Sequence, residues 1–230
     1  FTFALFLVIT FLYGLKTIKH TAEVNADFRH RIRVNFFSAI SISFILLSIA
    51  FMTYWPFLSL TLWWTGTILH TYFMLHTIRF WIQHNFEIQF MNPAWFILVV
   101  GNILIPVAGV EYMPKAFPFV YFAIGFFFWI VLFAVFLNRA IFHHQLPQKF
   151  ILTLFILIAP PAISFIAYIR IAQSWDSFAM FMLFVAYFFV ALLIFLYKSF
   201  RSIQFFLSWW AFTVPLMAIT IASVVAFQVS

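Results

Sequence analysis

Histidine, proline and the small polar residues are the side chains whose placement here bears most on chemistry. Cysteine is absent and carboxylates number only five, so disulfides, thiol chemistry and thiolate metal sites are excluded. Histidine is then the main candidate for ligand or acid–base work. His70 and His76 lie six residues apart on one apolar stretch. At helical pitch they face different directions, whereas paired metal-binding histidines on a helix stand four apart. They read as buried side chains that hydrogen-bond neighbouring helices. His143 and His144 end another apolar stretch and read as a solvated terminus. A histidine-box membrane enzyme needs several clustered histidines, usually with carboxylates, and this pattern does not assemble one. No catalytic residue, cofactor or metal site is assigned.

Proline raises a different question. ILIAPPAISF, residues 156–165, sits inside a charge-free run. In a helix Pro160 and Pro161 supply no N–H to the carbonyls of Ile156 and Leu157. A carbonyl left unpaired in hydrocarbon costs several kcal/mol, so both groups must face buried protein or water. Two readings follow: a kink packed against its neighbours, or a kinked helix that lines a wet cavity.

Composition decides the medium in which these residues work. The chain is 67% hydrophobic and 7% charged, a balance that a water-soluble domain of this length does not sustain. With about 20 apolar residues needed to span a bilayer, candidate spans fall near 1–15, 35–51, 60–78, 94–110, 117–138, 150–169, 178–197 and 205–228. Short connections make residues 1–230 a single transmembrane domain of the all-α class. The net charge of +7 does not imply nucleic acid, because the cations sit at helix ends and form no basic face. Lys16, Lys19, Arg29, Arg31, Arg33, Arg79, Arg139, Lys149, Lys198 and Arg201 fall in alternate loops on one side, and only Lys115 and Arg170 fall on the other. The positive-inside rule makes the first side cytoplasmic. Both ends of the chain then lie outside, the first span is short, and the sequence opens with Phe1, so a further span is expected beyond each end.

A unit of roughly 57 residues recurs, a length typical of repeat architectures. Helices that start near Asn35, Ala94, Phe150 and Phe205 carry Pro, Ser, Thr and Asn, and the helices between them are dominated by Phe and aliphatics. At about 100° per residue, Asn35, Ser38, Ser41 and Ser48 share one sector while Ser43 points elsewhere. Asn102, Pro106 and Gly109 share a face on the next unit. Thr153, Pro160, Ser164 and Ala167 do so on the third, and Thr213, Thr220 and Ser223 on the last. Small residues mark helix packing seams; their recurrence over four units also suits a central axis surrounded by these helices.

The stretches HRIRVNFFSAISIS (30–43), MNPAWFILVVGNILIPVAG (91–109), IFHHQLP through LIAPPAISFIAY (141–168) and WWAFTVPLMA (209–218) resemble the tellurite-resistance and C4-dicarboxylate transporter family. That family includes the slow-type anion channels of plant guard cells. The resemblance runs in order over nearly the whole chain. It implies helical hairpins around a pore, in a ten-helix fold of which about eight helices, the second to the ninth, are present here. It further implies a homotrimer with one pore per subunit, small inorganic or organic anions as the conducted species, and no nucleic-acid partner. Short loops suggest a multi-pass protein of a bacterial inner membrane, embedded in its lipid bilayer.

On that template the pore is lined by Asn35, Ser38, Ser41, Asn102, Pro106, Pro160, Pro161, Ser164, Thr213, Pro215 and Thr220. The family closes its pore with a phenylalanine in a pattern resembling W-A-(aromatic)-(S/T)-F. Here the segment reads Trp210, Ala211, Phe212, Thr213, Val214. The gate position therefore carries Val214, with Phe212 as a substitute plug if Pro215 rotates the segment. No charged residue lies deep in any span, and an intramembrane carboxylate would have pointed to cation binding or proton coupling. The reading is an anion channel; the alternative is a secondary carrier or exporter for C4-dicarboxylate, sulfite or tellurite.

Overall fold

The computed structural model describes residues 2–28, 30, 33–201 and 203–230. Arg29 and Arg31, two of the cations counted on the basic side, lie outside them. Among the described residues there is no strand. The helices are α1 (Thr2–Lys19), α2 (Thr21–Phe28), α3 (Ser38–Phe51), α4 (Pro56–Gln83), α5 (Phe96–Tyr112) and α6 (Ala116–Phe142). They continue as α7 (Gln148–Ile151), α8 (Ala159–Ala172), α9 (Ser177–Phe195), α10 (Tyr197–Arg201) and α11 (Thr213–Val229). Among the described residues seven segments are long and apolar enough to cross a membrane, which makes this an all-α integral membrane fold. α4, at 28 residues, has the length to cross but is not among the seven. Its Trp, His and Thr residues lower its hydropathy.

Four helices begin in the same way. A 3₁₀ stretch runs into each: Arg33–Phe37 into α3, Pro93–Trp95 into α5, Leu152–Ile158 into α8 and Leu207–Phe212 into α11. These are the four units that the sequence marks with Pro and small polar residues. The 3₁₀ entry also answers the proline question. Pro160 and Pro161 occupy the first positions of α8 and Pro215 the first turn of α11, where no intrahelical N–H is required and a fixed φ suits the helix. The carbonyl of Ile156 accepts from the Ala159 N–H across the tightened turn. Of the prolines expected to kink these helices, only Pro106 lies inside one, in α5.

Packing orders the elements into two layers. α3, α5, α8 and α11 touch in that sequence and form an inner arc. α4, α6 and α9 each lie against the inner helix that precedes them. Burial follows this division at the centre: over an 18-residue stretch of each span, 83% of Pro93–Tyr112 and 78% of Gln148–Ala172 is buried, against 28% of Ala116–Phe142 and 33% of Ser177–Phe195. Close approach at one hairpin depends on Gly125 of α6, where a Cβ would lie 2.6 Å from Ile103 Cγ1 of α5. α3 and α11 end the arc and leave one side uncovered, so only 22% of the Ser208–Val229 span is buried. α1 buries no residue; it meets α3 through edge-on ring pairs, Phe3 with Phe51 and Phe6 with Phe44.

One cation differs from its sequence reading, and one carboxylate fixes a helix start. Arg139 is not in a loop, because α6 continues to Phe142; it is 3% exposed on the face that also buries Leu132 and Phe136. Asp176, outside the spans, caps α9 by accepting from the Phe178 and Ala179 N–H groups, both at 3.0 Å. The Tyr168 hydroxyl, 2.6 Å away, and those N–H groups hold its carboxyl down at about 2.

Candidate functional site: a divided cavity inside the inner arc

Two cavities lie within the arc. The larger, about 1090 Å³, follows α3 from Phe36 to Ala50 and α1 from Thr2 to Tyr13. Its far wall comes from Leu104 and Val107 of α5, Ile163 and Ile166 of α8, and Val214, Met217, Ala218 and Ile221 of α11. The smaller, about 640 Å³, is walled by all four 3₁₀ entries, through Phe36, Ala94, Thr153 with Ile156, and Ser208 with Trp210. Phe36, Ala39, Ser43, Leu46 and Val214 belong to both walls. The two spaces therefore share a boundary formed by Val214 of α11 and by Ala39, Ser43 and Leu46 of α3.

The sequence-assigned residues divide between this cavity and the packing around it. Val214 and Pro215 stand in the cavity walls. Asn35, Ser38 and Ser41 are fully buried and outside both walls. Asn102 and Pro106 lie inside α5, whose wall residues are Ile97, Val100, Leu104 and Val107; Pro160, Pro161 and Ser164 lie inside α8, whose wall residues are Ala159, Ile163 and Ile166. Thr213 gives its hydroxyl to the Trp210 carbonyl and Thr220, exposed, to that of Leu216, both at 2.8 Å. Phe212 is half-buried with its ring 6.1 Å from that of Phe155, and it stands in neither wall.

What the polar face of α3 meets is α4. Ser41 Oγ lies 2.9 Å from His70 Nδ1, and His70 Nε2 lies 3.0 Å from the Leu98 carbonyl of α5. A carbonyl only accepts, so Nε2 carries the proton, and the Ser41 hydroxyl is shared between His70 Nδ1 and the Ser38 carbonyl at 2.8 Å. Asn102 Nδ2 donates to the same Leu98 carbonyl at 3.1 Å. Further along, Ser59 of α4 donates to the Ser48 carbonyl at 2.6 Å and meets the Tyr112 hydroxyl of α5. Gly101 makes room for the imidazole, since a Cβ there would come within 2.0 Å of His70 Cε1. Three helices are thus joined by a buried polar seam, as hydrocarbon surroundings favour for donors and acceptors. His70 behaves as the hydrogen-bonding core histidine read from the sequence; His76 departs from that reading, since it is half-buried and, among the described residues, its contacts are with the Phe28 and Tyr72 rings. Among the described residues no group of three or more His, Asp or Glu could hold a metal.

Sequence reasoning missed Ser43, which lies two residues beyond Ser41 and so about 200° around the helix. Its separation from the other serines was the available signal. Phe36, Leu46 and Lys149, also wall residues, carried no mark.

Charge is confined to the ends of this space. Lys149 stands in the wall of the smaller cavity, and Asp27 in that of the larger, 3.6 Å from Lys16. On the opposite side, Arg170 in the last turn of α8 reaches Glu111 at 2.7 Å and donates through Nε to the Val107 carbonyl at 3.1 Å. That carbonyl belongs to a wall residue, so the ion pair sits at the rim.

Residues 1–229 match the family model described as SLAC1, voltage-dependent anion channel. The chain is 31% identical over 235 residues to the S-type anion channel SLAH2 of Arabidopsis thaliana, covering 96% of this chain and 43% of that one. It is 28% identical over 240 residues to SLAH3 of the same plant, covering 96% and 35%. An uncharacterized transporter of Methanocaldococcus jannaschii is 25% identical over 241 residues, with 94% and 70% covered. The chain thus spans well under half the length of the two plant channels.

Proposed function

The chain belongs to the voltage-dependent anion channel family, and from that premise we propose that it conducts small anions through the two joined cavities. The observation that carries this reading is the convergence of four similarly built helices on a divided space whose neck is formed by Val214, Ala39, Ser43 and Leu46. The walls are mainly apolar and offer an ion few strong partners, which suits passage, since conduction needs sites weak enough to leave. Selectivity then follows the cost of dehydrating the ion, with large, weakly hydrated anions favoured. The pathway takes Val214 and Pro215 from the residues assigned by sequence, and Ser43 in place of Ser41. At the neck valine stands where the family pattern has phenylalanine, and it leaves basal conductance. On the family resemblance the protein works as a homotrimer, and its short loops suit a bacterial inner membrane.

Bi-ionic reversal potentials in planar bilayers test this reading, with chloride, nitrate, sulfite and malate as the paired anions. An anion-selective current, linear in voltage and far above carrier turnover, is expected. Saturable flux at carrier rates would instead establish the carrier for C4-dicarboxylate, sulfite or tellurite, and cation selectivity would contradict both.

A further inference from the structure

We propose that Arg139 anchors a phospholipid headgroup at the outer layer of helices, its ligand being the phosphate of an anionic lipid in the leaflet on the basic side. The site lies outside the conduction pathway, since Arg139 stands in neither cavity wall. Arg139 is 3% exposed, yet among the described residues its guanidinium makes no ion pair and no hydrogen bond. Its Nε is closed off and unpartnered; the two Nη atoms are not closed off, so the access that remains lies at the tip of the fork. No counter-ion for it comes from the described residues. All five carboxylates of the chain meet other partners: Asp27 meets Lys16, Glu23 meets His20, Glu87 meets Gln89, Glu111 meets Arg170, and Asp176 caps α9. Taking a guanidinium out of water without an anion is costly, so the anion comes from elsewhere.

Depth decides which anion is at hand. α6 has 27 residues, about 40 Å of helix, against about 30 Å of hydrocarbon. Its last turn, which holds Arg139, therefore reaches the headgroup layer. Around Arg139 the helix shows Leu137, Ile141 and Phe142, all exposed and apolar, a surface for acyl chains. A lipid phosphate is the anion present at high local concentration at that depth. The planar fork of arginine matches two phosphate oxygens. α9 runs beside α6, with the Phe133 and Phe189 rings 5.4 Å apart, and the exposed Lys198 of α10 follows it on the same side. A zwitterionic headgroup brings its own cation to this basic end, so a net anionic one such as phosphatidylglycerol is preferred.

The test uses the purified protein and its R139Q and R139K variants in lipid-free detergent, titrated with phosphatidylglycerol, phosphatidylcholine or sodium phosphate. Thermal stability is followed against added ligand, and native mass spectrometry counts the lipids retained. Phosphatidylglycerol should stabilise the wild type more than phosphatidylcholine does, and sodium phosphate should do little. Losing a charge-assisted pair of hydrogen bonds weakens apparent affinity about tenfold. R139Q should therefore need about tenfold more phosphatidylglycerol and retain fewer molecules of it. R139K, a point charge without the fork, should fall between the two. Without lipid, R139Q should be at least as stable as wild type, because it loses a buried charge that has no partner there. Equal phosphatidylglycerol dependence in R139Q and wild type overturns the site. So does an R139Q protein that is unstable without lipid while R139K is not, because Arg139 would then have its partner inside the protein. Stabilisation by sodium phosphate as strong as that by phosphatidylglycerol would overturn the lipid as the source of the phosphate.

Discussion

The two faces of α3 do opposite things with the same kinds of residue. On the α4 side, Ser41 and Ser48 are fully buried and bonded to His70 and Ser59. On the cavity side, Ser43 stands among Ala39, Leu46 and Ala50, with its hydroxyl returned to the Ala39 carbonyl of its own helix at 2.8 Å. The polar face is buried, and the face towards open space is largely apolar. In hydrocarbon a hydroxyl or imidazole is driven to find a partner, because leaving it unpaired costs several kcal/mol. A seam between three helices supplies partners for Ser41, Ser48, Ser59 and His70, while among the described residues Ser38 Oγ and Asn102 Oδ1 meet none. The wall of a conduit needs the reverse, since strong polar sites would hold the ion. Density of serine and asparagine therefore marks where helices lock together in this protein, and says little about where ions pass.

The strongest way to break this contrast is to empty the seam. His70→Ala removes a buried ring and its bonds to the Leu98 carbonyl and Ser41 hydroxyl, which keep Asn102 and Ser38 as partners, and should cost about 2–5 kcal/mol of stability, chiefly through the cavity it leaves. Chemical denaturation in detergent would read the loss. Ion selectivity of the protein that still folds should match wild type, and altered selectivity would place His70 in the pathway. A smaller loss is expected from Gly101→Ala, whose methyl must displace the His70 ring, at about 1–3 kcal/mol. On the cavity face the expected effect is functional. Val214→Phe fills the neck shared by the two cavities and should lower conductance about tenfold by excluding water there, with stability near wild type. Phe212→Ala serves as its control: Phe212 packs on Phe155 outside both walls, so its truncation should cost stability without raising current.

Much of the architecture could be read from residue types alone. The alternation of small-polar and Phe-rich spans corresponds to the inner arc and its outer partners. The four unit starts correspond to 3₁₀ entries at residues 33, 93, 152 and 207. Proline was the informative residue, although Pro160, Pro161 and Pro215 start helices here and do not bend them. The orientation of each helix was the harder part. Periodicity shows which residues share a sector, yet it does not show what that sector faces. Asn35, Ser38 and Ser41 do share a sector, and only the position of α4, with His70 level with Ser41, decides that it is a packing seam. The wall residues Leu46, Val107 and Ile163 are aliphatics like any others in the core, so sequence carries no sign of their role. Val214 was found because a family pattern marks its position.

Cysteine accessibility on α3 tests the central claim most directly, because the chain has no cysteine of its own. Ser41→Cys and Ser43→Cys place a thiol on the seam and on the cavity wall, two residues apart. Both are treated with a small water-soluble methanethiosulfonate reagent while current is recorded. Ser43→Cys should react about tenfold faster or more, since a buried thiol is inert and a hydrated one ionises, and its modification should reduce the current. Equal reactivity at the two positions, or faster block at Ser41→Cys, would contradict the account and move the pathway to the other side of the helix.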